Sequence, residues 1–165
     1  MPKSSGRGAK EWEEIFDRRV DMVWKICFAY MKNRTDVEDA VQNTFLQLIK
    51  ADPVFENEEH EKAWLIRTAS NICINTLKHW WRKREDIAGH EAELYEEAAD
   101  TGEVWEAVRA LPPKYRTVIY LRFVEGYSGE EIARILRKPS STIRNQLRTA
   151  RAMLRERLGD DYDEE

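Results

Sequence analysis

Apolar residues in this chain recur at three- and four-residue intervals nearly from end to end, and no stretch alternates strictly over strand length. That pattern restricts the fold to packed helices, and 7 glycines in 165 residues leave few places to break them. From about Lys10 to Tyr30, Trp12, Ile15, Phe16, Val20, Val23, Trp24, Cys27 and Phe28 follow it. "NRTDVEDAVQNTFLQLIK" reads as a second helix, with Thr35 or Asp36 as its N-cap. "ADPVFENEEHE" is a loop broken by Pro53, and a long helix follows from about Glu61 to Arg84. Residues 86–102 hold little core-forming content beyond Leu94 and Tyr95, although "EAELYEEAA" is rich enough in helix formers for a partial helix. Four further helices follow: "EVWEAVRAL", "KYRTVIYLRFVEG" ending at Gly126, "SGEEIARILR" and "SSTIRNQLRTARAMLRERLG". The predicted fold is all-α: two small helical domains at 10–85 and 103–158, an acidic linker at 86–102 and an acidic tail at 159–165.

The formal net charge is −4, but the charge is segregated. Residues 85–103 hold 8 acids and no lysine or arginine, and the tail "GDDYDEE" holds 5 more. Set those segments aside and 18 acids remain against all 27 bases. A basic body of this kind suits a polyanionic partner. No apolar run approaches a membrane span. "MPKSSGRGAK" lacks the apolar core of a signal peptide, so a cytoplasmic location is expected. Cys27 and Cys73 lie in apolar helical patterns and read as buried thiols. Neither "HEKAW" nor "HEAEL" has a second histidine one turn on, so no metal or cofactor is expected.

The most specific signal is "YSGEEIARILRKPSSTIRNQLRTARAMLRERL". Ser128 and Glu131 form a Ser-x-x-Glu capping box, and Pro139 stops the helix it starts. Ile143, Leu147, Ala150 and Leu154 recur at 4, 3 and 4 as a buried stripe. Arg144, Arg148, Arg151 and Arg155 recur with the same spacing on another face. A capped helix, a tight turn and a second helix lined with arginine describe a helix-turn-helix suited to the major groove. The long helix has two stripes of its own. Ile66, Ala69, Cys73, Leu77 and Trp80 are apolar, whereas Arg67, Asn71, Asn75, Lys78 and Arg82 line up amides and cations suited to a nucleic-acid strand. Phe55, in the preceding loop, either stacks on an unpaired base or folds back on the core.

Three ordered segments, "DVEDAVQNTFLQLIK", "KAWLIRTASNICINTLKHWWRKR" and "ALPPKYRTVIYLRFVEGYSGEEIARIL…TIRNQLRTARAMLRERL", resemble regions two and four of bacterial extracytoplasmic-function sigma factors of the sigma-70 family. The resemblance covers residues from about 10 to 158. It implies a non-catalytic subunit that binds RNA polymerase core, directs it to promoters and helps to open the DNA. The implied partners are the clamp of the largest polymerase subunit, the flap of the second, promoter DNA and an anti-sigma factor. By resemblance, Asp39, Gln42, Asn43 and Leu46 fall on the clamp-docking helix, with Phe45 and Ile49 nearby. Asn71 and the loop from Pro53 to Glu61, including Phe55, fall where the minus-ten element is captured as a single strand, and the stripe residues Arg67, Asn75, Lys78 and Arg82 are assigned to the same element. Ser140, Ser141, Arg144, Asn145, Gln146, Arg148, Thr149 and Arg151 fall where the minus-thirty-five element is read.

The chain departs from the family pattern at several points. Asn43 stands where many members have Glu, and Arg137 stands at the usual glycine of the turn. Gln146 and Thr149 replace frequent arginines. In "KHWWRKRE", Lys78, Arg82, Lys83 and Arg84 suit backbone phosphates. Trp80 continues the apolar stripe into the core, whereas Trp81 packs against the first helix or a partner, or touches DNA, with packing favoured because the family usually has basic residues there. The linker's 17 residues reach at most ~60 Å when extended. That exceeds the roughly 34–36 Å of one DNA turn. A stand-alone helix-turn-helix regulator would explain residues 104–158 but not the polar stripe of the long helix. An adaptor using these surfaces without DNA is a further alternative. An enzyme has no support, since His60, His79 and His90 are scattered and no nucleophile sits beside a base.

Overall fold

The computed structural model describes residues 6–86 and 102–159. These residues form seven helices and no strand, in agreement with the all-α expectation. They are α1 (Ala9–Phe28), α2 (Arg34–Ala51), α3 (Glu58–Asp86), α4 (Gly102–Ala110), α5 (Pro113–Phe123), α6 (Gly129–Leu136) and α7 (Ser140–Leu158). The partial helix expected near Leu94 and the acidic tail beyond Gly159 lie outside the described residues.

Local chemistry moves two helix starts from their predicted places. α2 begins at Arg34 because Asn33, not Thr35 or Asp36, is the N-cap, its side chain accepting from the Asp36 N–H at 2.9 Å. α3 begins at Glu58, earlier than the predicted Glu61. Asn57 Oδ1 accepts from the His60 N–H at 2.9 Å, and Glu58, Glu59 and Glu61 sit in the first turn, where the helix dipole favours acids.

The first bundle closes around Val23, Ile26 and Cys27 of α1, Val37 and Leu48 of α2, and Leu65, Ile66, Ala69 and Cys73 of α3, all at or near zero exposure. The Cys73 thiol, hydrogen-bonded to Cys27 and buried, is held above the usual thiol range. At the N-terminal end of α3, Glu61 ties it to α1. Its carboxylate accepts from Arg19 Nε at 2.8 Å and from Arg18 Nη2 at 2.9 Å. Burial alone would raise the Glu61 pKa, but the two arginines outweigh it and hold the group below the usual carboxylate range. The apolar stripe of α3 is buried as far as Cys73 and half-buried at Leu77. Trp80 is 41% exposed and so does not continue the core as expected, and Trp81, at 61%, does not pack into the first bundle. Every residue from Lys78 to Arg84 is exposed, because α3 outruns the helices that cover its earlier turns.

The second bundle, α4 to α7, packs onto the first along α3, which touches both α5 and α6. The seam joins the two apolar cores, with Phe28 edge-on to Trp105 at 5.1 Å, and adds a set of polar contacts. Thr117 of α5 lies 2.7 Å from both Tyr30 Oη and Ser70 Oγ, all three being buried. Burial pushes the Tyr30 phenol up to about 12. The carbonyls at the end of α1 find donors across the seam: Arg109 of α4 donates to Phe28 O at 3.1 Å, and Arg116 of α5 to Tyr30 O at 3.2 Å. Thus the open end of one helix is capped by arginines of the other bundle.

Two outcomes follow. Glu61→Gln should destabilise the chain by about 1.5–3 kcal/mol, the range for hydrogen bonds to charged groups. Because the Glu61 pKa is depressed, its stabilising contribution is fully present above roughly pH 4.3 and fades as pH falls through the folded value. Denaturant melts of both proteins should therefore converge in acid. Thr117→Val takes away the partner of the buried Ser70 hydroxyl and one of the two partners of Tyr30 Oη, which still donates to Pro113 O at 3.2 Å, and should cost about 1–3 kcal/mol in the same assay.

Candidate functional site

The helix-turn-helix is built as its sequence dictates. Ser128 Oγ accepts from the Glu131 N–H at 3.1 Å, while the Glu131 carboxylate accepts from the Ser128 N–H at 2.8 Å. α6 ends at Arg137, whose φ of 58° is left-handed, a conformation that costs a non-glycine residue roughly 1 kcal/mol. The Lys138 N–H then bonds Ala133 O at 3.0 Å, and Pro139 caps the start of α7. Ile143, Leu147 and Ala150 are buried on the inner face of α7. Ser141, Arg144, Asn145, Arg148 and Thr149 are exposed on the outer one, with Ser140 half-buried at its start. Arg148 donates to Asn145 Oδ1, so two candidate base-reading groups are already aligned with each other. Gln146 is half-buried, and its Oε1 has no hydrogen-bond partner among the described residues. Arg151 is half-buried with its guanidinium 5.4 Å from the Phe123 ring, so it stands nearer α5 than its stripe mates Arg144 and Arg148 do.

Along α3, Asn71, Asn75, Lys78 and Arg82 form one exposed line. Arg67 belongs to the same stripe, but its Nη1 donates to Ile135 O of α6 at 2.8 Å, and burial lowers its pKa. The seam therefore occupies one candidate strand contact. Phe55 has folded back. It packs edge-on to His60 and Trp64, at 5.3 and 6.2 Å, with the Arg7 guanidinium 5.1 Å from its ring. The exposed apolar side chain of that loop is its neighbour Val54, which the sequence did not single out.

On α2, Asp39, Gln42, Asn43 and Leu46 are all exposed, whereas Phe45 turns inward. Asp39, Gln42 and Leu46 border a groove whose apolar floor includes Phe16, Val20 and Trp24 of α1. Phe16, placed in the core stripe by its spacing, is 42% exposed and leans edge-on against Phe45. The sequence also gave no sign of a second cleft, of about 310 Å³, between α4, α5 and α7. Val104, Trp105, Phe123, Val124, Leu154 and Leu158 line it, with Arg151 and Arg155 at its edge. Its residues come from three helices, and each reads as ordinary core within its own helix. The molecule therefore offers two apolar grooves and two exposed polar lines.

Comparison with known proteins matches both halves of the chain. Residues 15–84 match the family Sigma-70 region 2, and residues 101–154 match Sigma-70, region 4. The ECF RNA polymerase sigma-E factor of Haemophilus influenzae is 31% identical over 144 residues, which is 76% of either chain. The ECF RNA polymerase sigma factor SigE of Mycolicibacterium smegmatis is 27% identical over 158 residues, spanning 89% of this chain and 61% of its own length. Among solved structures, the sigma factor RpoE from Bartonella quintana, in complex with the anti-sigma factor NepR, superposes with a TM-score of 0.74 at 22% identity. That match covers 93% of this chain and 99% of RpoE.

Proposed function

The chain belongs to the extracytoplasmic-function sigma factors of the sigma-70 family, and on that footing we propose that it binds RNA polymerase core, directs it to promoters and helps to open them. The observation that carries this reading is the exposed line Asn71, Asn75, Lys78 and Arg82 on a helix outside the helix-turn-helix. A stand-alone regulator has no use for a second nucleic-acid face; a promoter-opening subunit needs two.

Each surface has a role in this reading. The groove bordered by Asp39, Gln42 and Leu46 receives the clamp of the largest polymerase subunit, with Asn43 beside it. The cleft between α4, α5 and α7 suits an apolar helix from the flap of the second subunit. Ser140, Ser141, Arg144, Asn145, Gln146, Arg148, Thr149 and Arg151 serve the minus-thirty-five element, by base edges near the start of α7 and by phosphates further on. Asn71 and Asn75 both donate and accept, which suits the base edges of an unpaired minus-ten strand, while Lys78 and Arg82 take its phosphates. Arg67 joins them when α6 releases it. Phe55 supports the loop from beneath, a role that suits its packing better than stacking does.

The chain supplies no chemistry to RNA synthesis. It holds opened strand better than closed duplex, and that difference in binding shifts the equilibrium towards melting. Reading both elements at once requires the bundles to part along their seam, and the 15 residues between α3 and α4 are long enough for it. The Bartonella quintana relative was solved with an anti-sigma factor, and a partner of that kind is proposed here too, competing for the two grooves. No helix among the described residues is long and apolar enough to cross a membrane, and the proposed workplace is the cytoplasm, beside the polymerase.

In vitro transcription with sigma-free core on a fragmented genomic library tests the reading. Start sites should share an upstream and a downstream motif. Asn71→Ala should weaken opening about tenfold, in keeping with ~1–3 kcal/mol for a good base contact. Leu46→Glu should abolish co-elution with core while leaving the melting temperature unchanged. Tight duplex binding by the chain alone, without initiation, would instead favour the stand-alone regulator.

A further inference from the structure

The loop between α2 and α3, residues 52–57, is held by a residue that precedes every helix. Arg7 stands just before α1, and its side chain is only 11% exposed. A charge with so little access to water needs partners. Arg7 Nη1 donates to Asp52 Oδ1 at 3.1 Å and to Pro53 O at 2.8 Å. The guanidinium lies 5.1 Å from the centroid of the Trp12 ring and 5.1 Å from that of Phe55, within cation–π range of both. The bend it anchors is an uncommon one, since Asp52 has a left-handed φ of 44° and Pro53 follows it.

The far side of the loop is tied as well. Phe55 packs on His60 and Trp64, His60 Nδ1 accepts from the Glu56 N–H at 3.1 Å, and Asn57 Oδ1 accepts from the His60 N–H. Between Pro53, bound by Arg7, and Phe55, packed against it, stands Val54 with its side chain exposed. The tethers thus hold the chain on both sides of one outward-facing apolar side chain. Such a loop suits discrimination. A loose loop re-packs around whatever it meets, whereas a fixed one makes the wrong group clash or leaves it unpaired.

We propose that Arg7 is a positioning residue for the minus-ten element: by clamping Asp52, Pro53 and Phe55 it fixes the loop, with Val54 at its tip, in the one pose that discriminates among bases of the opened strand. This rests on the promoter-opening reading and extends the minus-ten site to a residue 45 positions before Asp52. Arg7 acts through the loop and does not itself meet DNA. Loosening the clamp costs choice of base more than it costs binding, because Asn71, Asn75, Lys78 and Arg82 still hold the strand.

Holoenzyme assembled from the full chain and polymerase core, on promoter fragments randomised across the minus-ten element, provides the test. Initiation by the wild-type chain gives the base preference at each position, and Val54→Ala identifies the position that the loop meets. Arg7→Ala should flatten the preference at that same position, where one base contact is worth roughly fivefold to hundredfold. The preferences elsewhere and the affinity for core should be unchanged. Asp52→Ala removes the more exposed half of the ion pair and should flatten the same position, with the double variant no flatter than Arg7→Ala alone. Should Arg7→Ala fail to assemble with core, Asp52→Ala decides by the same readout. Preferences kept at every position overturn this proposal alone, even where initiation falls equally on all fragments, because the cluster then only supports the fold. No position responding to Val54→Ala, or a different position responding to Arg7→Ala, also overturns it. No initiation by the wild-type chain overturns the promoter-opening reading and this proposal with it.

Discussion

Glu61 accepts from Arg18 and Arg19 at the first turn of α3, and that junction sets the direction of the longest helix in the molecule. α3 is shared by everything else. Its inner face closes the first bundle, its flank receives α5 and α6, and its outer face carries the line from Asn71 to Arg82. The carboxylate is nearly buried, so an unpaired Glu61 would be costly, whereas paired it fixes the angle at which α3 leaves α1. A small error at that end would be magnified along 29 residues, or about 43 Å of helix.

The functional surfaces divide the work by chemistry. The two grooves are apolar with charged rims, which suits amphipathic helices. The two lines are polar and cationic, which suits nucleic acid. On the proposed reading, separating them lets protein and DNA bind together without competing for one face. The recognition helix shows the same economy within a single element, with Ile143, Leu147 and Ala150 fixing its seat and Arg144 and Arg148 exposed on the opposite face.

The helix-turn-helix was legible from sequence because each of its parts has a local signature. Ser128 and Glu131 cap within four residues, and the stripes of α7 repeat every turn. Asn33 was missed because three cap-competent residues stand close together, and only the backbone decides which side chain meets a free N–H. Trp80 was misread for a different reason. Periodicity tells which face is apolar but not where the covering helices stop. The polar contacts of the seam had no signature at all. Arg109 and Arg116 reach carbonyls more than eighty residues away, and a backbone carbonyl leaves no trace in composition. The cleft between α4, α5 and α7 was equally silent, since it exists only once three helices meet.

On the proposed reading, the hydroxyl triad at the seam also bears on dose. If the polymerase-competent form is the parted one, the chain's effective affinity is its intrinsic affinity scaled by the fraction parted. Every 1.4 kcal/mol that Tyr30, Thr117 and Ser70 add to closure then raises the concentration needed for half-saturation about tenfold. The hydroxyls of this triad touch neither DNA nor polymerase in the proposed complex, yet substitutions among them would reset the threshold at which the protein begins to act. The response would keep its promoter choice and change only its sensitivity.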